Sequence, residues 1–439
     1  MSKKLHLISL GCTKNLVDSE VMLGRLKSYE ITPLIEKADV IIVNTCGFIE
    51  AAKQESLSVL FEALERRKKG AILVASGCLS ERYHEELLRE IPEIDIITGV
   101  GDYDKIDQMV RERQGFHSGE VFLASEEQER VITGSSVHAY VKLSEGCNQT
   151  CSFCAIPQFK GKLHSRTLES TLKEVKNLIA KGFTDFSFIA QDTSSYLRDR
   201  GEKEGLIQLI GALDSLEGIK SARILYLYPS TASAKLIQAI QKSQVVQNYF
   251  DMPLQHIAES MLKRMKRGAN QKKHKELLER MRQVPHSFVR TTLILGHPGE
   301  SEEEFEELCR FLEEFRFDRV NLFAYSDEEG TSAHKMEGKL DKKVINARLK
   351  RLDKIIQKQH KALLKEMVGQ EIPVILEGES SEHEFFYSAR DARWAPEIDG
   401  EILINETLLP QPAPGHYWAK ITQVAGKQLL ATLTRRWEK

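Results

Sequence analysis

The chain has 439 residues, 41% of them hydrophobic and 29% charged, with a formal net charge of −2. That length predicts two to three domains with ample core, and near-neutrality excludes a wholly basic nucleic-acid binder while leaving local patches open. No 18 apolar residues run together, which excludes a helical membrane span. The short stretch Leu5–Leu10 does not make a signal peptide, so a cytoplasmic location is expected.

Residues 1–115 alternate apolar runs with amphipathic stretches. Strands are predicted at Leu5–Leu10, Val40–Val43, Ile72–Ala75 and Ile94–Thr98. A helix over Ala51–Arg67 is expected to bury Leu57, Leu60, Phe61 and Leu64 on one face. Such βα alternation predicts an open parallel sheet covered by helices. Residues 116–135 are polar and glycine-bearing and read as a linker. A second βα series fills residues 136–368, with strands predicted at Tyr140–Leu143, Asp185–Ala190, Ser221–Leu227, Tyr249–Pro253, Phe288–Leu295 and Val320–Ala324. Ser301 and Glu304 form a capping-box signature for a helix over Glu302–Phe315. Six βα units are too few for a closed eightfold barrel, so a partial (β/α)6 barrel is expected, with its chemistry at the carboxyl ends of the strands. A charged amphipathic helix from Asp341 to Val368 carries Leu349, Leu352, Ile356 and Leu363 along one stripe. Five short strands then follow in residues 369–439, at Ile372–Leu376, Phe385–Ala389, Glu401–Ile404, Trp418–Val424 and Gln428–Leu433. They suggest a small five-stranded β-barrel. The whole is an α/β protein with an all-β terminus.

Six of the seven cysteines fall into two triplets. Cys147, Cys151 and Cys154 lie within eight residues, just after the first strand of the second series. A structural zinc site is normally closed by four ligands, whereas an iron–sulfur cubane held by three cysteines leaves one iron open for a reacting ligand. An odd cysteine count in a cytosol-like chain argues against a disulfide framework. Cys12, Cys46 and Cys78 each follow a predicted strand of the first sheet by no more than about three residues. Carboxyl ends of parallel strands share one edge, so these three meet at a second candidate cluster site, the alternative being three small core fillers. Cys309, inside a helical pattern, reads as a core thiol.

The stretch from Val141 to Cys154, with Cys147-x-x-x-Cys151-x-x-Cys154 on the first strand of a partial barrel, resembles the radical S-adenosylmethionine superfamily. The resemblance implies that the open iron is chelated by S-adenosylmethionine, which an electron then cleaves to a 5′-deoxyadenosyl radical. A three-cysteine sheet domain, a radical domain and a terminal barrel of the TRAM type together resemble the methylthiotransferases, which turn C–H into C–S–CH3. Within that family, Ser9–Glu20, Asn44–Ile49, Cys154-Ala155-Ile156-Pro157 and Pro253-Leu254-Gln255-His256-Ile257 look like the RimO-type branch rather than the tRNA-modifying one. That branch implies methylthiolation of the β-carbon of an aspartate in the small-subunit ribosomal protein numbered twelve. It further implies two 4Fe–4S clusters, two S-adenosylmethionine molecules per turnover and an electron donor such as flavodoxin or ferredoxin. Lys160 stands where arginine is usual, and Ala258 where serine is frequent.

By the same resemblance Cys12, Cys46, Cys78, Cys147, Cys151 and Cys154 are the cluster ligands. Phe153, Gln191, Asp192, Arg223, Gln255 and Gly296 are the candidate cofactor contacts. Asp192 could equally cap a turn, and Arg223 and Gln255 could make structural hydrogen bonds. His256 and His297 read as structural or turn histidines. Residues 369–439 carry seven basic against eleven acidic residues, a net of −4, the wrong sign for gripping phosphates. A basic ribosomal protein is therefore the expected partner and tRNA is disfavoured, with Glu377, Glu379, Glu382 and Glu384 as the contact edge. The rival classes are a non-catalytic electron carrier, which would hold each cluster with four cysteines, and a zinc-stabilised RNA-binding module.

Overall fold

The computed structural model describes residues 2–381 and 383–437. The first sheet contains β1 (Lys4–Ser9), β2 (Glu30–Ile31), β3 (Val40–Thr45), β4 (Ile72–Gly77) and β5 (Ile96–Ile97), in the order β2-β1-β3-β4-β5. Every pairing is parallel. β3 and β4 are buried on both faces, which explains their unbroken runs of apolar residues. The edge strand β2 has no apolar run and was not expected, and the strand expected over Ile94–Thr98 pairs only at Ile96–Ile97. The helix predicted over Ala51–Arg67 spans Glu50–Arg66. Its buried line runs through Ser56, Leu60 and Ala63, leaving Phe61 outside the core at 53% exposure.

The second series forms β6 (His138–Lys142), a two-residue pair β7 (Ser144–Glu145) and β8 (His164–Ser165), then β9 (Asp185–Ile189), β10 (Ser221–Ile224), β11 (Tyr249–Asp251), β12 (Phe288–Leu295) and β13 (Arg319–Ala324). Six parallel strands stand in chain order as two triplets, β6-β9-β10 and β11-β12-β13, with a parallel bridge from Ala222 to Val246 between them. This is the expected partial barrel. The helix Glu302–Glu314 begins with the Ser301–Glu304 capping box, and Cys309 is buried in the core. The long helix Lys342–Met367 packs Leu352 into the same core, with Leu349 and Ile356 against it.

Residues 116–135 contain no helix or strand but are tied down tightly. Arg130 is buried and bridges Glu20 and Glu174, and the Val131 and Thr133 amides donate to Glu20. The segment is a strap across two domains, not a free linker.

The C-terminal barrel is closed by β14 (Glu371–Glu379), β15 (Tyr387–Asp391), β16 (Ile402–Thr407), β17 (Gly415–Ala425) and β18 (Gln428–Arg436). It is also fused to the partial barrel. Asp185, the first residue of β9, accepts from Arg223 of β10 and from Arg390 of β15 (2.6 Å). Arg290 pairs with Asp251 (3.0 Å) and approaches Asp399 (3.4 Å). Tyr140, Leu225, Tyr249 and Phe288 pack in one cluster with Val374, Trp394 and Ala395.

Candidate active site

The first cysteine triplet is gathered by the sheet. Cys46 directly follows β3, Cys78 directly follows β4, and Cys12 lies three residues beyond β1 as the N-cap of the helix Thr13–Arg25. Two asparagines stitch these strand ends together. Asn15 donates to Leu10 and Thr45 carbonyls and approaches Cys78 Sγ (3.6 Å), while Asn44 donates to the Asn15 carbonyl and Ser19. Gly77 turns the chain at φ +94°, and a Cβ there would lie 2.3 Å from Asn44 Oδ1. Cys12 is exposed; Cys46 and Cys78 are buried. Burial pushes the Cys46 thiol up to about 11 and raises Cys78 further.

The second triplet rides one loop. Gly146 (φ +74°) launches it, and a Cβ there would lie 2.1 Å from the Lys162 carbonyl. Behind the loop, Ser152 hydrogen-bonds His297 Nε2 (2.9 Å) and its amide donates to Met265. Burial pushes Cys147 and Cys154 up to about 12. Cys151 is met by Arg267 Nη1 (3.0 Å) and Tyr228 Oη (3.3 Å).

A cavity of about 230 Å³ opens onto this loop. Its walls include Cys147, Cys151, Cys154, Phe153, Gln191 and Gln255, and Lys14 and Phe48 reach it from the first domain. The side-chain oxygens of Gln191 and Gln255 are buried without a hydrogen-bond partner. Unsatisfied buried acceptors are costly and mark a place for a donor. Two non-glycine wall residues, Tyr226 (φ 63°) and Gln255 (φ 71°), hold left-handed backbones, the kind of strain that concentrates at functional sites. Although burial works against its charge, Tyr226, Cys12, Glu145 and Asp251 keep the Lys14 pKa above the ordinary lysine value.

Other sequence candidates lie elsewhere. Asp192 is buried beside the cavity but saturated, accepting from Gln149, Ser194, Ser195 and Thr231; it holds a turn and orients Gln149. Arg223 is directed away, into the seam with Asp185 and the Ala392 carbonyl. Gly296 (φ +84°) makes room for Ile345 of the long helix and donates its amide to Glu300. His256 and His297 are buried and neither lines the cavity. Lys160 is buried between Glu145 (3.1 Å) and Asp18 (3.6 Å), beside the Lys142–Asp18 pair (2.5 Å). On the terminal barrel, Glu377 binds Arg390 and Ser135 and is no free contact. Glu379 and Glu384 are exposed, and Glu382 lies outside the described residues. Sequence reasoning did not single out Lys14, Phe48, Tyr226, Tyr228 or Arg267; the signal for Lys14 was its place two residues after Cys12.

The donor chemistry fits a three-cysteine iron–sulfur cluster facing a ligand. Three thiols and two orphaned amide oxygens surround one largely apolar cavity, and metal binding offsets the burial that raises Cys147 and Cys154. Among the described residues no three His, Cys, Asp or Glu side chains converge as the ligands of a single ion would, so the fit rests on that donor set and cavity. No helix among the described residues is long and apolar enough to cross a membrane.

Residues 4–99 match the family described as Uncharacterized protein family UPF0004, residues 141–312 the Radical SAM superfamily and residues 368–433 the TRAM domain. The curated ribosomal protein uS12 methylthiotransferase RimO of Wolinella succinogenes is 99% identical over 439 residues, covering all of both chains. That of Helicobacter hepaticus is 61% identical over 428 residues, covering 96% of each, and that of a Nitratiruptor strain 58% identical over 434 residues, covering 99% and 100%. Among solved structures, the radical S-adenosylmethionine methyltransferase TsrM of Kitasatospora setae shares the fold at a TM-score of 0.53 and 14% identity, over 73% of each chain. With three matched segments in order and near-identity along its full length to a curated member, the chain belongs to the RimO family of radical S-adenosylmethionine methylthiotransferases.

Proposed function

We propose that this chain methylthiolates the β-carbon of an aspartate in ribosomal protein uS12, the substrate printed in its relatives' names. The observation that carries the reading is one cavity walled both by Cys147, Cys151 and Cys154 and by Lys14 and Phe48 of the Cys12 domain. That both domains wall one cavity supports sulfur delivery across the domain boundary.

Cys147, Cys151 and Cys154 would hold one 4Fe–4S cluster, and Cys12, Cys46 and Cys78 would hold a second. With S-adenosylmethionine bound, these groups supply hydrogen abstraction from an unactivated carbon, which no side-chain base achieves at neutral pH, and a methyl group. The unpartnered oxygens of Gln191 and Gln255 would offer acceptors to the cofactor's amino group, and Phe153 would supply an apolar wall for its adenine. Arg267 steadies Cys151, and Asp192 fixes Gln149. Arg223, bound into the seam, and Gly296, packed on Ile345, support the core from outside the cavity. The enzyme works in the cytoplasm, reduced by a flavodoxin or ferredoxin. Its partner is uS12, free or on the ribosome, and not tRNA. The exposed Glu379 and Glu384 flank Phe385, which is 90% exposed, and that rim suits a basic protein better than a phosphate backbone.

Mass spectrometry of uS12 from a deletion strain tests the reading. The methylthio group is expected to vanish from uS12, to return with the wild-type gene, and to stay absent with Cys147→Ala. Unchanged uS12, or loss of methylthio groups from tRNA instead, overturns it.

A further inference from the structure

Two cations line the cavity, and they differ in what they hold. Arg267 is committed: it contacts Cys151, donates to the Pro253 carbonyl (2.6 Å) and covers the Tyr228 ring (4.3 Å from its centroid). Lys14 is not. Its ammonium sits 3.7 Å from the centroid of the Tyr226 ring, and among the described residues it has neither a hydrogen-bond acceptor nor a carboxylate within ion-pair distance. A partly buried charge with no partner in direct contact is costly, and the acidic groups that act on Lys14, Glu145 and Asp251 among them, do so without touching it. The fold nevertheless holds it in place, on a tyrosine whose left-handed backbone is pinned by a hydrogen bond from its own amide N–H to the Asp251 carboxylate (3.1 Å). A cation over an aromatic face stays available to an anion arriving from the other side.

Resting on the functional reading above, we propose that Lys14 binds the side-chain carboxylate of the acceptor aspartate and so selects the substrate. The two free acceptors, on Gln191 and Gln255, belong to the radical domain and suit a cationic group. Among the described residues of the cavity wall, the cation without a contacting acceptor is Lys14 of the other domain, two residues from the exposed Cys12. An aspartate differs from every neutral side chain in carrying a carboxylate one bond from its β-carbon. Holding that carboxylate therefore fixes the carbon to be modified between the two cysteine triplets. Asparagine presents an amide of nearly the same shape without the charge, and the site discriminates by charge alone.

The test uses reconstituted holoenzyme with S-adenosylmethionine, titrated calorimetrically with uS12 and with uS12 whose modified aspartate is replaced by asparagine. A charge-assisted hydrogen bond predicts that wild type binds the aspartate form about ten- to a hundredfold more tightly. Lys14→Met is expected to bind both forms equally, with unchanged iron content and unchanged affinity for S-adenosylmethionine, and Lys14→Arg to restore the preference. Equal binding of the two forms by wild type overturns the proposal without any variant having to fold. So does a Lys14→Met enzyme that keeps the preference, or one that instead loses S-adenosylmethionine, whose own carboxylate would then be the ligand. If wild type neither binds nor modifies uS12, the functional reading fails; if it modifies uS12 while Lys14→Met still discriminates, only the assignment of Lys14 fails.

Discussion

The two cysteine triplets are built in opposite ways. Cys147, Cys151 and Cys154 share one loop of eight residues, launched by Gly146 and braced by Ser152 on His297. Cys12, Cys46 and Cys78 are brought together from three strand ends and exist as a set only when β1, β3 and β4 are paired in register. A loop site depends on a few local turns, whereas a strand-end site inherits the cooperativity of a whole sheet. The loop site is thus suited to a ligand that must enter and leave, with a cavity against it; the strand-end site, with two of its three cysteines buried, is suited to holding something steady.

The strongest way to break this comparison is to remove each triplet in turn. Replacing Cys147, Cys151 and Cys154 by alanine is expected to abolish reductive cleavage of S-adenosylmethionine and to leave roughly half the iron of the reconstituted protein. Replacing Cys12, Cys46 and Cys78 is expected to leave 5′-deoxyadenosine formation with dithionite intact while ending methylthio transfer. Methylthiolation by that second variant would show that the first triplet has no part in the reaction. A subtler pair of variants leaves every cysteine in place. Gly77→Ala forces a Cβ to 2.3 Å from Asn44 Oδ1, and Gly146→Ala forces one to 2.1 Å from the Lys162 carbonyl. Each combines left-handed strain with overpacking, about 3 kcal/mol or more. Gly77→Ala is expected to lose iron from the strand-end site only, and Gly146→Ala from the loop site only. Loss of both clusters in either variant would mean the sites are not independent.

The two domains share a buried charge cluster in which Asp18 of the first meets Lys142 and Lys160 of the second. Asp18→Asn leaves those lysines under-compensated and is expected to cost about 3 kcal/mol, read as a lower thermal midpoint. Adding Lys142→Met should restore part of it, since the two changes touch one network; strictly additive losses would deny the coupling. The smallest effect is expected from Arg267→Gln. Loss of the guanidinium beside Cys151 should lower the reduction potential of the loop-site cluster, because a nearby cation favours the more negative reduced form. The potential of a cluster at the strand-end site, as proposed, should not move. Potentiometric titration followed by electron paramagnetic resonance distinguishes the two.

The loop triplet could be read from sequence because its geometry is local, and the strand-end triplet because a strand followed at once by a cysteine has few places to put it. What stayed hidden was tertiary. Arg223 was assigned to the right strand, but a sequence does not say that an inward arginine will find Asp185 and a carbonyl of the terminal barrel before it finds a cofactor. Gly296 was recognised as a place of close approach, yet what approaches is Ile345 of a helix fifty residues on. Phe61 was placed on the buried face by periodicity alone, and the helix rolled so that Leu60 and Ala63 took the core. Lys14 and Tyr226 meet across more than two hundred residues, and no pattern in either segment announces the other.

The seam that joins Asp185 to Arg223 and Arg390, and Arg290 to Asp251 and Asp399, bears on how specificity can change over evolutionary time. A terminal barrel hung on a free tether could be exchanged whole, carrying a new partner preference onto an old reaction centre. Here a foreign barrel lacking Arg390 and Asp399 would strand carboxylates and guanidinium groups in the interior of its host. Change is thereby left to the exposed outer rim around Glu379, Glu384 and Phe385, which can drift while the inner edge of the same small domain is held fixed.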